Sequence, residues 1–121
     1  MQELSIMDIQ AKMESGVLTA RGLVEAYLQQ IDKIDRIGPK LNSVIETNPD
    51  ALDIADALDQ ERAIQGPRGP LHGVPILVKD NIDTADKMVT AAGSLALANS
   101  HARQDAFIIG RLRQAGAIIL G

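Results

Sequence analysis

The sequence predicts an α/β fold in which a mixed, partly parallel sheet is covered by helices. Two apolar runs typical of buried strands, residues 73–79 and 117–120, are separated by a loop and a segment with helical periodicity. A strand, a helix and a further strand in this order favour parallel pairing, because the helical crossover returns the chain to the same end of the sheet. With 121 residues the chain has the size of one ordinary domain, so we expect residues 1–121 to form a single unit.

The N-terminal part predicts two helices, each opened by a hydroxyl-bearing residue. Ser5 is expected to cap a first helix that runs to about Ser15, where Gly16 ends it. Thr19 is expected to cap a longer helix that ends before Gly38. Apolar residues of the longer helix recur at three- and four-residue spacing and give one buried stripe. They are Leu23, Tyr27, Leu28, Ile31 and Ile34.

The middle of the chain predicts a strand followed by a third helix. Residues 41–47 alternate and are rich in β-branched side chains, which indicates the strand. Asn48 is expected to cap the helix, with Pro49 at its first position. The acidic residues of this helix are assigned to a solvated face. They are Asp53, Asp56 and Asp59.

The C-terminal part predicts a strand, a polar loop with a short helical turn, a helix and a last strand. Apolar side chains on both faces of residues 76–78 favour a strand within 73–79 that is covered on both sides. Asp105 is expected to cap the helix and Gly116 to end it before a buried strand at 117–120. The stripe expected to be buried on this helix is Ile108, Ile109, Leu112 and Ala115.

Charge and composition exclude several classes of function. The formal net charge is -4, whereas nucleic-acid binders usually carry a basic face. One Phe, one Tyr and no Trp leave few rings for stacking on bases. Zero cysteines exclude disulfides, thiolate metal sites and a cysteine nucleophile. We therefore expect no nucleic-acid partner.

The sequence predicts neither a membrane anchor nor export. No stretch approaches the ~18 apolar residues that a membrane-spanning helix needs. The N-terminus lacks the basic and apolar regions of a signal peptide. A cytoplasmic location is therefore expected.

No cofactor or metal is expected. The glycines near residue 69 do not lead to the Lys followed by Ser or Thr of a phosphate-binding loop. His72 and His101 lie far apart in sequence without a nearby set of carboxylates, so we interpret them as surface or loop residues.

Lys79 stands at the end of an apolar run and directly precedes Asp80 and Asn81. It is either a strand-end lysine whose ammonium reaches water or a buried, neutral amine that can accept a proton. Asp80 and Asn81 are typical turn formers, and the Asp80 carboxylate could pair with Lys79. Ser94 lacks the strand, turn and helix context of a nucleophile elbow, which favours a local turn or cap role.

Several stretches resemble the amidase signature hydrolases. They are "GPLHGVPILVKDNID" at residues 69–83, "TAAGS" at 90–94 and "DAFIIGRLRQAGAIILG" at 105–121, with "GPKLNSVIETNPDAL" before them. The resemblance implies amide hydrolysis by a Ser, cis-Ser, Lys triad in which Lys79 is the base. It also implies that Asp80, Asn81, Gly93 and Ser94 are scaffold groups around that lysine.

Neither serine of that triad matches a position in this sequence, so the resemblance implies an N-terminal portion that is inactive alone. Its substrate would be a small-molecule or peptide amide. The run "TAAGSLAL" is more similar to the peptide amidase branch than to the A subunits of amidotransferases, which commonly have a second Thr where Ala91 stands. Two alternatives remain. One is the A subunit of an amidotransferase, with partner subunits; the other is a non-catalytic fragment that forms a homo-oligomer through an exposed strand at residues 117–120.

Overall fold

A computed structural model describes residues 4–121. Residues 1–3, which belong to the predicted single unit 1–121, lie outside the described residues. The described part contains the helices α1 (Ile6–Glu14), α2 (Ala20–Gln30), α3 (Ala51–Gln65) and α4 (Phe107–Gln114), and the strands β1 (Pro75–Ile76) and β2 (Ile118–Ile119). A π-helix, Ile31–Ile37, continues α2, and a 3-10 helix, Leu95–Leu97, precedes α4.

The two strands pair in parallel, with Pro75 opposite Ile118 and Ile76 opposite Ile119. The N–H groups of Ile118 and Leu120 donate to the carbonyls of Val74 and Ile76 at 2.9 and 2.8 Å. Pro75 fits this strand because the residues on either side of it supply the carbonyls that face β2. The α/β fold with a parallel pair is therefore confirmed.

The core lies on both faces of this small sheet. Ile118 and Leu120 pack with α1, α2 and α3 on one face. Ile119 packs with Ile109 of α4 and with Met88 on the other. Successive residues of a strand point to opposite faces, so β2 serves two layers of helix at once.

The first two helices begin where the sequence predicts. The Ser5 hydroxyl accepts the N–H of Asp8 at 3.2 Å, and the Thr19 hydroxyl accepts the N–H of Gly22 at 2.9 Å. The first helix ends at Glu14, within one residue of the prediction. The helical segment that α2 opens extends to Ile37, but its last two turns are π-helical.

The predicted strand at residues 41–47 is wrong. Lys40 and Asn42 have left-handed φ angles of 55° and 52°, which interrupt the extended backbone that a strand needs. The buried Asp35 carboxylate accepts the N–H groups of Ser43 and Val44. These backbone donors are therefore satisfied by a side chain of the preceding helix and not by a neighbouring strand.

The start of α3 and its solvated face also differ from the prediction. The helix begins at Ala51, because the Asn48 side chain folds the chain into a turn by accepting the N–H of Asp50 at 2.9 Å. Asp59 is not simply solvated, since its carboxylate accepts the N–H groups of Ala20 and Arg21 at 2.8 and 3.0 Å. It therefore stabilises the first turn of α2, where a negative charge is favourable.

The expectation that the first strand is covered on both sides is wrong. Leu77 is 50% exposed, and Lys79 is exposed as well. The last strand, in contrast, is buried as predicted, with each of residues 117–120 at most 4% exposed. The expectation of an exposed terminal strand, which a self-associating fragment requires, is therefore wrong too.

Three further expectations need correction. Asp105 does not cap α4, because its carboxylate accepts the N–H of Ala85 and pairs with Arg113, and Ala106 takes the cap position. On the predicted stripe of α4, Ile109 is buried but Ile108 is 50% exposed. His72 lies in a turn but is fully buried, with its Nε2 2.9 Å from the carbonyl oxygen of Leu58.

We expect Gly116→Ala to destabilise the fold more than Gly16→Ala. Both glycines follow the end of a helix and have positive φ, 84° and 73°, which costs an L-residue about 1–2 kcal/mol. A Cβ at Gly116 would also lie 3.0 Å from the Cα and Nδ1 of the buried His72, whereas a Cβ at Gly16 meets nothing within 4 Å. Overpacking adds about 1–3 kcal/mol at Gly116. Urea unfolding of the two variants measures the difference, and equal losses would contradict this packing.

We expect Asp35 to titrate below the ordinary carboxyl range. Hydrogen bonds from the hydroxyl and N–H of Ser43 lower the pKa of Asp35, with further help from the N–H of Val44. The resulting stabilisation is present above the ordinary carboxyl pKa and is lost as pH falls through the lowered folded-state pKa. Ser43→Ala should raise the pKa of Asp35, measured by carboxyl carbon NMR, and should move acid unfolding to higher pH. An unchanged Asp35 pKa in that variant would refute the assignment.

Candidate functional site

A cavity of about 510 Å³ lies at the end of β1. Lys79, Asp80 and Asn81 line one side, and Gly93 from the following loop lines another. The structure therefore brings together the lysine and three of the four predicted scaffold residues. Ser94 does not line the cavity; its N–H donates to the carbonyl of Ala91 in a local turn, as the sequence favours.

Asp80 holds the "TAAGS" loop against the end of β1. Its backbone carbonyl accepts the N–H of Ala92 at 2.9 Å, and its carboxylate accepts the N–H groups of Ala91 at 3.2 Å and Gly93 at 3.4 Å. Ala92 and Gly93 have φ angles of 49° and 75°. In this turn the N–H groups of three successive residues, 91–93, converge on Asp80 and form an anion-binding nest. Asp80 occupies it, so the predicted pairing of Asp80 with Lys79 is wrong.

Lys79 lines the cavity and, of the two alternatives that the sequence leaves open, matches the strand-end lysine that reaches water. It is exposed, and among residues 4–121 no carboxylate oxygen lies within 4.0 Å of its ammonium. The other lysine of this region, Lys87, pairs with Asp50 outside the cavity. Lys79 is thus placed so that its amine is free to meet a group that enters the cavity. Its role as a base stays a prediction.

The lining of the cavity includes a residue that sequence reasoning missed. Glu46 lines the cavity, and its Oε2 accepts the N–H of Val89 at 2.8 Å. This bond joins residues 43–46 to the loop that follows Lys79. No local pattern marks Glu46, because the alternation of residues 41–47 predicts a strand there. The left-handed backbone of Lys40 and Asn42 and the contacts of Asp35, which replace this strand, depend on the tertiary structure.

An ion-pair network fixes the loop between Lys79 and the "TAAGS" run. Arg113 of α4 pairs with Asp86 at 2.6 Å and with Asp105 at 3.0 Å. The Asp86 carboxylate in turn accepts the N–H of Met88 at 2.9 Å, and Met88 lines the cavity. The side chains of Arg113 and Asp86 are only 27% and 11% exposed, so solvent screens this pair less than a surface pair. The loop between Lys79 and the "TAAGS" run is therefore well anchored.

Other kinds of site find no support in the part of the chain that the structure describes. Within residues 4–121, no three or more His, Cys, Asp or Glu side chains come together as metal ligands would. His101 is exposed, with its Nδ1 3.2 Å from the carbonyl oxygen of Met88. None of the described helices combines the length and apolar character that a membrane crossing requires.

Comparison with known proteins identifies the family. The family model described as Amidase matches residues 22–121. This chain belongs to the amidase signature family. The crystal structure of native peptide amidase from Stenotrophomonas maltophilia matches with a TM-score of 0.94 and 51% identity, over 98% of this chain and 24% of that one. The resemblance seen in the sequence is thereby confirmed.

Two curated relatives also match this chain over its whole length and over only part of their own. A putative amidase from Schizosaccharomyces pombe is 45% identical over 100% of this chain and 20% of its own length. The A subunit of the glutamyl-tRNA(Gln) amidotransferase from Alkalilimnicola ehrlichii is 39% identical over 100% of this chain and 24% of its own length. The chain thus spans between a fifth and a quarter of the length of these relatives.

We expect Asp80→Ala to loosen the "TAAGS" loop. Removing the carboxylate leaves the N–H groups of Ala91 and Gly93 without an acceptor, so both amides should exchange with solvent about two- to tenfold faster, the factor for losing one ordinary hydrogen bond. Asp83→Ala is the matched control, because Asp83 is exposed and does not line the cavity. Native-state hydrogen exchange by NMR measures the rates. Equal rates in the two variants would contradict the nest.

Proposed function

We propose that this chain is the part of an amide hydrolase that supplies the base of a Ser, cis-Ser, Lys triad, and that Lys79 is that base. The observation that carries the proposal is the placement of Lys79 on the wall of a cavity of about 510 Å³, beside the loop held by Asp80. Family membership supports it, and so does the likeness to a peptide amidase.

Lys79 would accept a proton only as a neutral amine. In the proposed reaction, this amine takes the proton of a serine hydroxyl through the intervening cis-serine, and the serine oxygen bonds to the amide carbon. The carbon–nitrogen bond then breaks, the leaving amine takes up a proton, and water hydrolyses the acyl-enzyme. Both serines would come from chain outside residues 1–121.

The exposure of Lys79 fits this division of the site. Desolvation favours the neutral form of a lysine, and in the described residues the ammonium still reaches water. The remaining three quarters or more of an amidase polypeptide would cover Lys79 and Leu77. The 121 residues alone would then lack both the nucleophile and the burial that the base needs.

We expect Lys79→Ala to remove activity from a chimera. These 121 residues would replace the matching quarter of the Stenotrophomonas maltophilia peptide amidase, to which they are 51% identical. Lys79→Ala should then lower kcat/KM for a peptide amide by about 10²- to 10⁴-fold, the usual contribution of a positioned acid or base. Lys87→Ala is the control, because Lys87 lies outside the cavity.

A chimera that melts cooperatively yet shows no difference between Lys79→Ala and Lys87→Ala would refute the assignment of the base. The purified 121-residue chain should show no amidase turnover. Turnover by that chain would show that a different set of residues performs the chemistry.

A second candidate function is ammonia release within an amidotransferase, in the role of its A subunit. The observation in its favour is the 39% identity to the corresponding chain of a glutamyl-tRNA(Gln) amidotransferase. The same lysine would then release ammonia from an amide for use by partner subunits. Copurification of the complete protein with such partners from its own cell extract would favour this function, whereas a free enzyme active on peptide amides would exclude it.

A further inference from the structure

The Glu46 carboxylate is a fixed charge on the cavity wall that the proposed hydrolysis does not use. Its only hydrogen-bond donor among the described residues is the N–H of Val89, at 2.8 Å. A neutral amide side chain could accept that bond equally well. The charge of Glu46 is therefore not required for the contact that holds the side chain in place.

The charge of Glu46 is also uncompensated by any neighbouring cation. Within residues 4–121 no Lys, Arg or His nitrogen lies within 4.0 Å of its carboxylate oxygens. The other ionisable side chains that line the cavity are Lys79 and Asp80. The two oxygens of the Asp80 carboxylate each accept a backbone N–H from the 91–93 loop, whereas one oxygen of Glu46 accepts none. Glu46 therefore has more acceptor capacity left for a ligand than Asp80.

The cavity as a whole is negative. The side chains of its lining carry one net negative charge when Lys79 is protonated and two when Lys79 is neutral. Apolar residues such as Leu77, Ile82 and Met88 form much of the remaining wall. A cleft with low-dielectric walls and one sign of excess charge concentrates ligands of the opposite sign.

We propose that Glu46 selects amides that carry an ammonium or guanidinium group over amides that carry a carboxylate. This inference rests on the proposed function, because it names the class of substrate that the same cavity takes. Glu46 is a specificity-determining residue and takes no part in the proton transfer assigned to Lys79.

The test measures binding to the 121-residue chain with the α-carboxyl group of Gly121 amidated, so that this group adds no charge to the cavity, and it does not depend on turnover. The probes are 4-aminobutanamide, which is cationic, succinamate, which is anionic and of nearly the same size, and neutral butanamide. NMR titration would follow the amide signals of Val89 and Gly93. The cation should bind about tenfold more tightly than the anion, with butanamide between them, the ratio expected for one unit charge about 6 Å away at the dielectric of water, about 80, acting with opposite sign on the two probes.

Glu46→Gln keeps an acceptor for Val89 and removes the charge, so the ratio between cation and anion should fall toward one. Asp53→Asn removes the same charge from an exposed position on α3 outside the cavity and should leave the ratio unchanged. A ratio near one in the native chain, a ratio that Glu46→Gln does not change, or no binding of the cationic probe would overturn the inference. An inactive chimera would refute the proposed hydrolysis and leave this binding result standing.

Discussion

The position of β2 between β1 and Asn48 is the constraint on which the site depends. On one side β2 pairs with β1, which leads into Lys79. On the other side the backbone N–H of Asn48 donates to the carbonyl of Leu120 at 2.8 Å, and its side-chain amide donates to the carbonyl of Ile119 at 2.9 Å. Asn48 is only 3% exposed, so these bonds are shielded from competing water. Glu46 lies two residues before Asn48, and both walls of the cavity are therefore positioned by one strand.

The site combines a rigid frame with an incomplete cover. The pairing of Arg113 with Asp86 and Asp105 fixes the loop after Lys79. In the cavity lining itself, Lys79 is exposed and Leu77 is 50% exposed. Positioning groups through such a frame is what a catalytic constellation needs before chemistry is possible. Under the proposed function, the nucleophile would approach Lys79 from this open side.

The features that the sequence predicted correctly are those decided by interactions between residues close together in the chain. The Ser5 and Thr19 caps and the apolar run at 117–120 depend on neighbouring residues, and the structure contains all three. The predicted strand at 41–47 is wrong because the Asp35 carboxylate accepts backbone N–H groups of this stretch. The predicted Asp105 cap is wrong because the Asp105 carboxylate accepts the N–H of Ala85 and pairs with Arg113. These contacts join residues far apart or depend on the exact path of a turn. Lys79 could be singled out from its place after an apolar run, but Glu46 could not, since only the fold brings it to the cavity.

The most direct measurement is the NMR coupling transmitted across individual hydrogen bonds in the 121-residue chain. We predict couplings from the Ala92 nitrogen to the Asp80 carbonyl carbon and from the Asn48 nitrogen to the Leu120 carbonyl carbon. The bond from Leu120 to Ile76 within the sheet is the internal reference. If the reference coupling is present and the other two are absent, the walls of the cavity are not held to β1 and β2 as described, and the assembly of the site around Lys79 is wrong.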